Sequence, residues 1–228
     1  MAFTVAEMTD ADLSEYVRIH AAAFANTLYK IIYTRPLSQA SMRDYERQCR
    51  EMRHEDPNIH FLKVTDEATG EIISCAKWIY CPPGRSAEEV EKALSELPEM
   101  LPESKPEAVK DLFGMMSREK GKIMGTRGYW GTCMNCPDCF FTNKSKLTFP
   151  IDLEALTTHP KHERRGAGRL LVNWGAEQAE QTGLECYVEA SITGRPVYER
   201  CGFRSVQELP FDAPKHGVYD HEMLHVSL

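Results

Sequence analysis

The sequence predicts an α/β chain in which a mixed sheet is flanked by helices, and three observations carry that expectation. Two strand-like runs, 60–64 and 72–80, are separated by turn-forming residues 66–70, the pattern of an antiparallel hairpin. A strand at 151–158, a helix at 166–182 and a strand at 185–190 form a strand–crossover helix–strand unit, which implies a parallel pair. A short alternating strand at 2–8 leads into Leu13, Tyr16, Val17, His20 and Phe24 at helical spacing, so helix and sheet are interleaved from the start.

Taken in order, Asp10 offers an N-cap to that first helix. A charged helix is expected within 38–53, ended by Asp56-Pro57. The hairpin follows, and its second strand stops at Cys81-Pro82-Pro83-Gly84. Residues 84–125 read as two weakly packed helices outside the sheet, about 86–97 and 106–121, because apolar positions are sparse and Pro98, Pro102 and Pro106 intervene. Residues 126–148 carry no legible period. In the helix at 166–182, Leu171, Val172, Gly175, Ala176 and Ala179 share one face, with Asn173, Glu177 and Glu180 opposite, and Gly183 stops it. A short helix at 193–201 has Pro196 in its first turn, and strands are expected at 203–208 and 222–226.

The chain's 228 residues suit one domain spanning 1–228, large enough to bury a core without staples. Apolar residues at 42% and charged residues at 27% exclude wholesale disorder. A net charge of -7 argues against a nucleic-acid partner and mildly favours a cationic substrate. The most apolar stretch, 72–80, is too short to span a bilayer, so no membrane partner is expected. No signal peptide is apparent, and five of the eight cysteines are scattered, which reads as reduced thiols in the cytoplasm. The assembly is expected to be a monomer or a homodimer.

The most informative segment is Arg164-Arg165-Gly166-Ala167-Gly168-Arg169, between a strand and a helix. The two glycines let the backbone bend and let a bulky anion approach. The first N–H groups of the helix have no intrahelical partner, and its dipole favours negative charge. The three arginines add charge that suits a pyrophosphate. The alternative is a glycine-relieved turn with exposed arginines.

Three flanking features weigh toward the ligand: Leu153-Glu154-Ala155-Leu156-Thr157-Thr158-His159-Pro160 before the loop, Tyr187-Val188-Glu189-Ala190-Ser191 after the helix, and Val197-Tyr198-Glu199-Arg200-Cys201-Gly202-Phe203. Together these resemble the GNAT superfamily of N-acetyltransferases, whose acyl-CoA loop reads Gln/Arg-x-x-Gly-x-Gly/Ala and whose later segment reads Leu-Tyr-Glu-x-x-Gly-Phe. The resemblance covers about 150–208. Glu163 departs from the first loop position, and Val197 replaces Leu. It implies the GNAT fold, a mostly antiparallel mixed sheet with a splayed parallel pair and helices on both faces. It implies acetyl-CoA as co-substrate, with the backbone of Arg164, Arg165, Gly166, Ala167, Gly168 and Arg169 on the pyrophosphate. Leu156, Thr157 and Thr158 would pair with the pantetheine arm, and Ser191 stands where many members have a cofactor-contacting Asn. Tyr198 matches the tyrosine that protonates the leaving thiolate; otherwise it is a packed tyrosine with a satisfied hydroxyl.

The amine must be neutral to attack, so a base is needed. Asp152 and Glu154 are two apart on one strand and face the same side. Some family members carry the base at these positions, which makes Glu154 the first candidate, Asp152 the second, and Glu189 and His159 reserves. A backbone N–H near Leu156 would polarise the acetyl oxygen. Cys186 and Cys201 are expected to be structural thiols. Cys133, Cys136 and Cys139 form C-x2-C-x2-C without a fourth ligand at the usual offset, an incomplete metal pattern, so no metal is expected. Since the family runs directly from its third helix into the strand at 151–158, roughly 131–148 read as an insertion. The expected activity is acetyl transfer to a small-molecule or peptide amine. The alternative is a catalytically silent CoA-binding or protein-interaction module of the same fold.

Overall fold

The structure, a computed structural model, describes residues 2–95, 100–132, 156–218 and 224–227. Its elements in order are β1 (Phe3–Glu7), α1 (Leu13–Phe24), α2 (Leu28–Ile32), α3 (Gln39–Glu55), β2 (Ile59–Asp66), β3 (Glu71–Cys81), α4 (Ala87–Ser95), α5 (Pro106–Met124), β4 (Tyr129–Thr132), β5 (Thr157–Thr158), α6 (Ala167–Thr182), β6 (Glu185–Ser191), α7 (Arg195–Arg200), β7 (Ser205–Leu209) and β8 (Leu224–Ser227). The sheet runs β1-β2-β3-β4-β6-β8-β7, with β5 also paired to β3. Among the described residues only β4 and β6 are parallel, and the other pairings are antiparallel.

The sheet is covered on both faces. One face packs Cys75, Ile79, Cys81, Tyr129 and Tyr187 against α1, α2, α3 and α5. The other packs Ala76, Trp78, Trp130, Val188 and Ala190 against α6 and α7. The alternation along β3 delivers neighbours to opposite cores, which explains why this strand reads as a continuous apolar run. Lys77 lies in that run and is fully buried, its ammonium 5.8 Å from the centre of the Phe61 ring.

The expected hairpin is β2–β3, paired from Ile59↔Ile79 to Asp66↔Glu71. The first helix is entered differently from the expectation. Thr9 and Asp12 form the cap, with the Thr9 N–H and Oγ1 both donating to Asp12 Oδ2 at 2.7 Å. Asp10 instead accepts from Arg53 Nη1 at 2.7 Å and binds His54 at the end of α3. The two helices expected after residue 84 are present, but α5 is not loosely packed. Val109, Leu112, Phe113 and Met116 are fully buried in the first core. The prolines that made the region look broken lie before α5 or at its first position, where no N–H is lost from the helix ladder.

β4 is a strand that periodicity missed, fully buried in mid-sheet. It and β5 lie on one line along β3. Gly131 faces Ile79, and Thr157 faces Cys75. In that register two residues would join Thr132 to Thr157 on a continuous strand, yet twenty-four lie between them in the sequence. Gly131 and Thr132, at the start of the expected insertion, belong to β4; the rest of it, 133–148, lies outside the described residues.

Candidate functional site

β4 and β6 pair from Tyr129↔Glu185 to Thr132↔Val188, where the described part of that segment ends. Beyond that point β6 turns to β8, pairing Glu189 with Val226 and Ser191 with Leu224, while β5 stays on β3. Among the described residues β5 is laddered to β3 alone and not to β6, which leaves a slot between β5 and the end of β6. From Gly131 to Thr158 the slot wall follows five residues of β3, about 17 Å.

The slot opens on the predicted anion loop. Arg164 has φ 60° and Gly166 has φ 91°, so the chain makes two left-handed steps before α6 begins at Ala167. Such steps turn successive N–H groups toward one concavity. A Cβ at Gly168 would come 3.1 Å from Leu156 Cδ2 and 3.7 Å from Thr158 Oγ1, so the start of α6 lies close against β5 and a larger side chain there would have to displace the Leu156 side chain. α6 itself sits tightly on the sheet: a Cβ at Gly175 would fall 2.1 Å from the Trp78 ring. The Trp78 indole Nε1 donates to Leu171 O at 3.1 Å. Gly183, at φ 67°, closes the helix as the sequence suggested.

The three loop arginines divide. Arg164 and Arg169 are exposed, and neither forms an ion pair with a described residue. Arg165, expected to add charge for phosphates, is turned inward. Its Nη2 donates to Asp66 Oδ2 at 2.5 Å and its guanidinium lies 5.1 Å from the Phe3 ring. Arg165 holds the Asp66 carboxyl below the usual carboxylate range. Its side chain anchors the loop to the β2–β3 turn. Glu163 is exposed.

β5 is clamped rather than merely paired. Ser74 Oγ donates to Thr157 O at 2.7 Å and lies 2.9 Å from Thr158 Oγ1, and Cys75 Sγ lies 3.2 Å from Thr157 Oγ1. The His159 N–H donates to Ile73 O at 2.9 Å. By strand alternation the backbone of Thr157 also faces β3, whereas that of Thr158, and of Leu156 before it, faces the slot. Of the three residues expected to pair with a pantetheine arm, Thr157 is thus turned the other way. Ser191 ends β6; its Oγ accepts the Gly194 N–H at 3.1 Å, capping the turn into α7.

Tyr198 is buried at the apex of the slot. Its ring packs edge-on to Phe203 at 5.7 Å. Burial pushes its hydroxyl up to about 12, and a hydrogen bond with the Thr132 side chain offsets part of that. The hydroxyl is therefore protonated at any ordinary pH. Asp152 and Glu154 lie outside the described residues, as do Cys133, Cys136 and Cys139. Of the reserve bases, Glu189 is buried on β6 just past Val188 and accepts from Tyr187 Oη at 2.9 Å. His159 follows β5 at the start of the loop into α6, where burial, then Arg18, lowers its pKa. Burial also pushes the Cys186 thiol to about 12 and raises Cys201, which makes both poor nucleophiles.

A second feature was not foreseen: a cavity of about 680 Å³ on the α1–α5 face. It is walled by Ala21 and Ala25 of α1 and its end, Tyr29 and Lys30 of α2, residues 33–37, Met42, Lys105, Gly217 and Val218. Gly217 and Val218 follow β7, so the cavity lies at the end of the sheet toward which β4, β6 and β7 run, on the face that carries Tyr187 and Glu189. No sequence motif announces it, because its walls come from positions nearly two hundred residues apart.

The loop, α6, β6, α7 and β7 fall within residues 144–223, which match the family model described as the acetyltransferase (GNAT) domain. No curated relative matches the chain at the sequence level. Among solved structures, a mosquito arylalkylamine N-acetyltransferase like 5b superposes with TM-score 0.60 at 11% identity, covering 99% of this chain and 98% of that one. The Drosophila melanogaster polyamine N-acetyltransferase does so with TM-score 0.61 at 11% identity, covering 99% and 98%. A Corynebacterium glutamicum protein described as histone acetyltransferase HPA2 and related acetyltransferase gives 0.56 at 18% identity, covering 99% and 96%. At these identities the likeness is one of fold. No described helix is long and apolar enough to cross a membrane.

Proposed function

Because residues 144–223 of this chain are a GNAT acetyltransferase domain set in a GNAT fold, we propose that it transfers the acetyl group of acetyl-CoA to a primary amine by direct attack. The observation that carries the reading is the Tyr198 hydroxyl at the apex of a slot whose other end is the Gly166–Gly168 helix start. The residues present fit the co-substrate. Glycines at 166 and 168 leave room for a diphosphate, the first N–H groups of α6 and Arg164 and Arg169 supply its counter-charge, and the slot-facing backbone of Thr158 and Leu156 suits an amide-bearing arm.

Acetyl-CoA supplies the activated acetyl carbon. The amine gives its ammonium proton to a base, then forms the C–N bond through its lone pair. The C–S bond breaks, and the departing sulfur takes the proton that Tyr198 Oη donates. The nitrogen then sheds its second proton, which restores the Tyr198 hydroxyl, so the net products are the amide, the free thiol of CoA and the one proton that the base passes to solvent. A phenol near pKa 12 stays protonated until the sulfur develops charge, which is what a donor at this position needs. The base is a carboxylate: Glu154 or Asp152 on sequence grounds, with Glu189 the described carboxylate beside the slot.

The test is release of free CoA thiol across an amine panel, repeated with Tyr198→Phe, Glu154→Gln, Asp152→Asn and Glu189→Gln. Transfer predicts amine-dependent release that Tyr198→Phe cuts sharply. Tight acetyl-CoA binding with no amine-dependent release would leave a silent CoA-binding module, a reading to which the exposed Glu163 and the turn-capping Ser191 are compatible.

A further inference from the structure

The cavity beside α2 selects by charge. Its size suits a small molecule with one ring. Tyr29 and Tyr33, stacked edge to face at 4.8 Å, and Met42 make an aromatic and apolar wall. Among the described residues that line it, the charged side chains are Lys30, Arg35 and Lys105, all basic. Neighbouring carboxylates are already engaged. Glu103 accepts from the Ser38 N–H at 3.1 Å and Ser41 Oγ at 2.8 Å, and Asp111 accepts from Lys215 at 2.6 Å and lies 3.0 Å from His216. Lys105 Nζ donates to Lys30 O at 2.7 Å, which fixes that ammonium at the rim. Arg35 is exposed and forms no ion pair with a described residue.

The geometry points to an acceptor amine whose far end is anionic: a ring-sized apolar body with the reacting amine at one end and a carboxylate at the other. This rests on reading the cavity as the acceptor half of the same active site, which is supported by its Tyr29, Tyr33 and Val218 belonging to the same core as Tyr187 of β6. Three cations around the entrance disfavour a second ammonium there and favour a carboxylate. The inference runs against the chain's acidic balance of -7, because local charge and not net charge meets the substrate. Polyamine-like acceptors are therefore expected to be poor.

A matched pair isolates the charge: 4-(2-aminoethyl)benzoate against phenethylamine, with agmatine as the dication. Acetyl-CoA binding is followed by calorimetry and transfer by thiol release, using the full chain. The expected result is a kcat/KM for the benzoate at least about tenfold above that for phenethylamine, the worth of one charge-assisted hydrogen bond. That ratio shrinks with added salt, and in Arg35→Gln and Lys105→Gln it moves toward one. Because the ratio is taken within each variant, partial loss of folded protein does not alter it. If acetyl-CoA binds but phenethylamine or agmatine is preferred, or neither amine is acetylated, the inference fails while co-substrate binding stands. A benzoate preference that persists in both variants also overturns it. If acetyl-CoA gives no heat, the transfer reading itself falls and the inference with it.

Discussion

Replacing Gly175 by Ala tests the seat of α6 on the sheet. The new methyl would stand 2.1 Å from one Trp78 ring carbon and 2.3 Å from two more ring atoms. That is about 1.4 Å inside an ordinary carbon–carbon approach of about 3.5 Å. Trp78 is fully buried and its indole is tied to Leu171 O, so neither the ring nor the helix yields without repacking. Overpacking of this kind costs roughly 1–3 kcal/mol, occasionally more, and the clash with three ring atoms argues for the upper end. Against it stands a gain of about 1 kcal/mol, because Ala is the better residue in a helix interior. The net loss is about 2 kcal/mol, which for a chain of this size lowers Tm by about 4–8 °C. In a Trp78→Leu background the obstruction is gone, and the same substitution should raise Tm relative to that parent. Thermal melts of the four proteins in the cycle read the sign directly. Gly175→Ala should also weaken acetyl-CoA binding, since α6 carries the anion loop at its N-terminus. A Tm unchanged or raised in the wild-type background, or no change of sign between backgrounds, would refute the argument.

Tyr198→Phe should lower kcat by about a hundredfold or more with little change in acetyl-CoA affinity, read from steady-state thiol release. Because burial raises the Tyr198 hydroxyl from 10.0 to about 12, its contribution to stability is full below about pH 10 and is lost as pH rises toward 12; urea melts at pH 9 and 11 in wild type and Tyr198→Phe should diverge accordingly. Arg164→Gln and Arg169→Gln should each flatten the salt dependence of acetyl-CoA binding measured by calorimetry. Arg165→Gln should leave that slope alone and lower Tm instead, because its guanidinium belongs to Asp66.

Much of the second half of the chain was legible because its signals are local. Gly166 and Gly183 bracket α6, one apolar face runs between them, and the Val197–Phe203 segment repeats a pattern that a single helix and its exit turn impose. What sequence missed depends on partners far away. Arg165 looks the same as Arg164 and Arg169 until Asp66, ninety-nine residues earlier, is brought beside it. α5 looked thinly apolar because Glu119 and Lys120 are buried along with its methionines, so counting charges hid the covered face. β4 has four residues, one of them glycine, and is buried on both faces, so it offers neither length nor alternation to read.

The broken strand ties these points together. An edge formed by two residues has too little ladder of its own to fix where its backbone points, so β5 should wander unless something else holds it. Ser74 and Cys75 supply that hold through three side-chain contacts to Thr157 and Thr158, and Gly168 lets α6 press Leu156 from the other side. On the far side of the break, β4 keeps its register through Ile79 and Tyr187, and its last residue, Thr132, meets the Tyr198 hydroxyl. The two fragments are thus secured independently, one at each end of the slot. The register of β5 beside the loop into α6 and that of β4 beside Tyr198 therefore do not depend on each other.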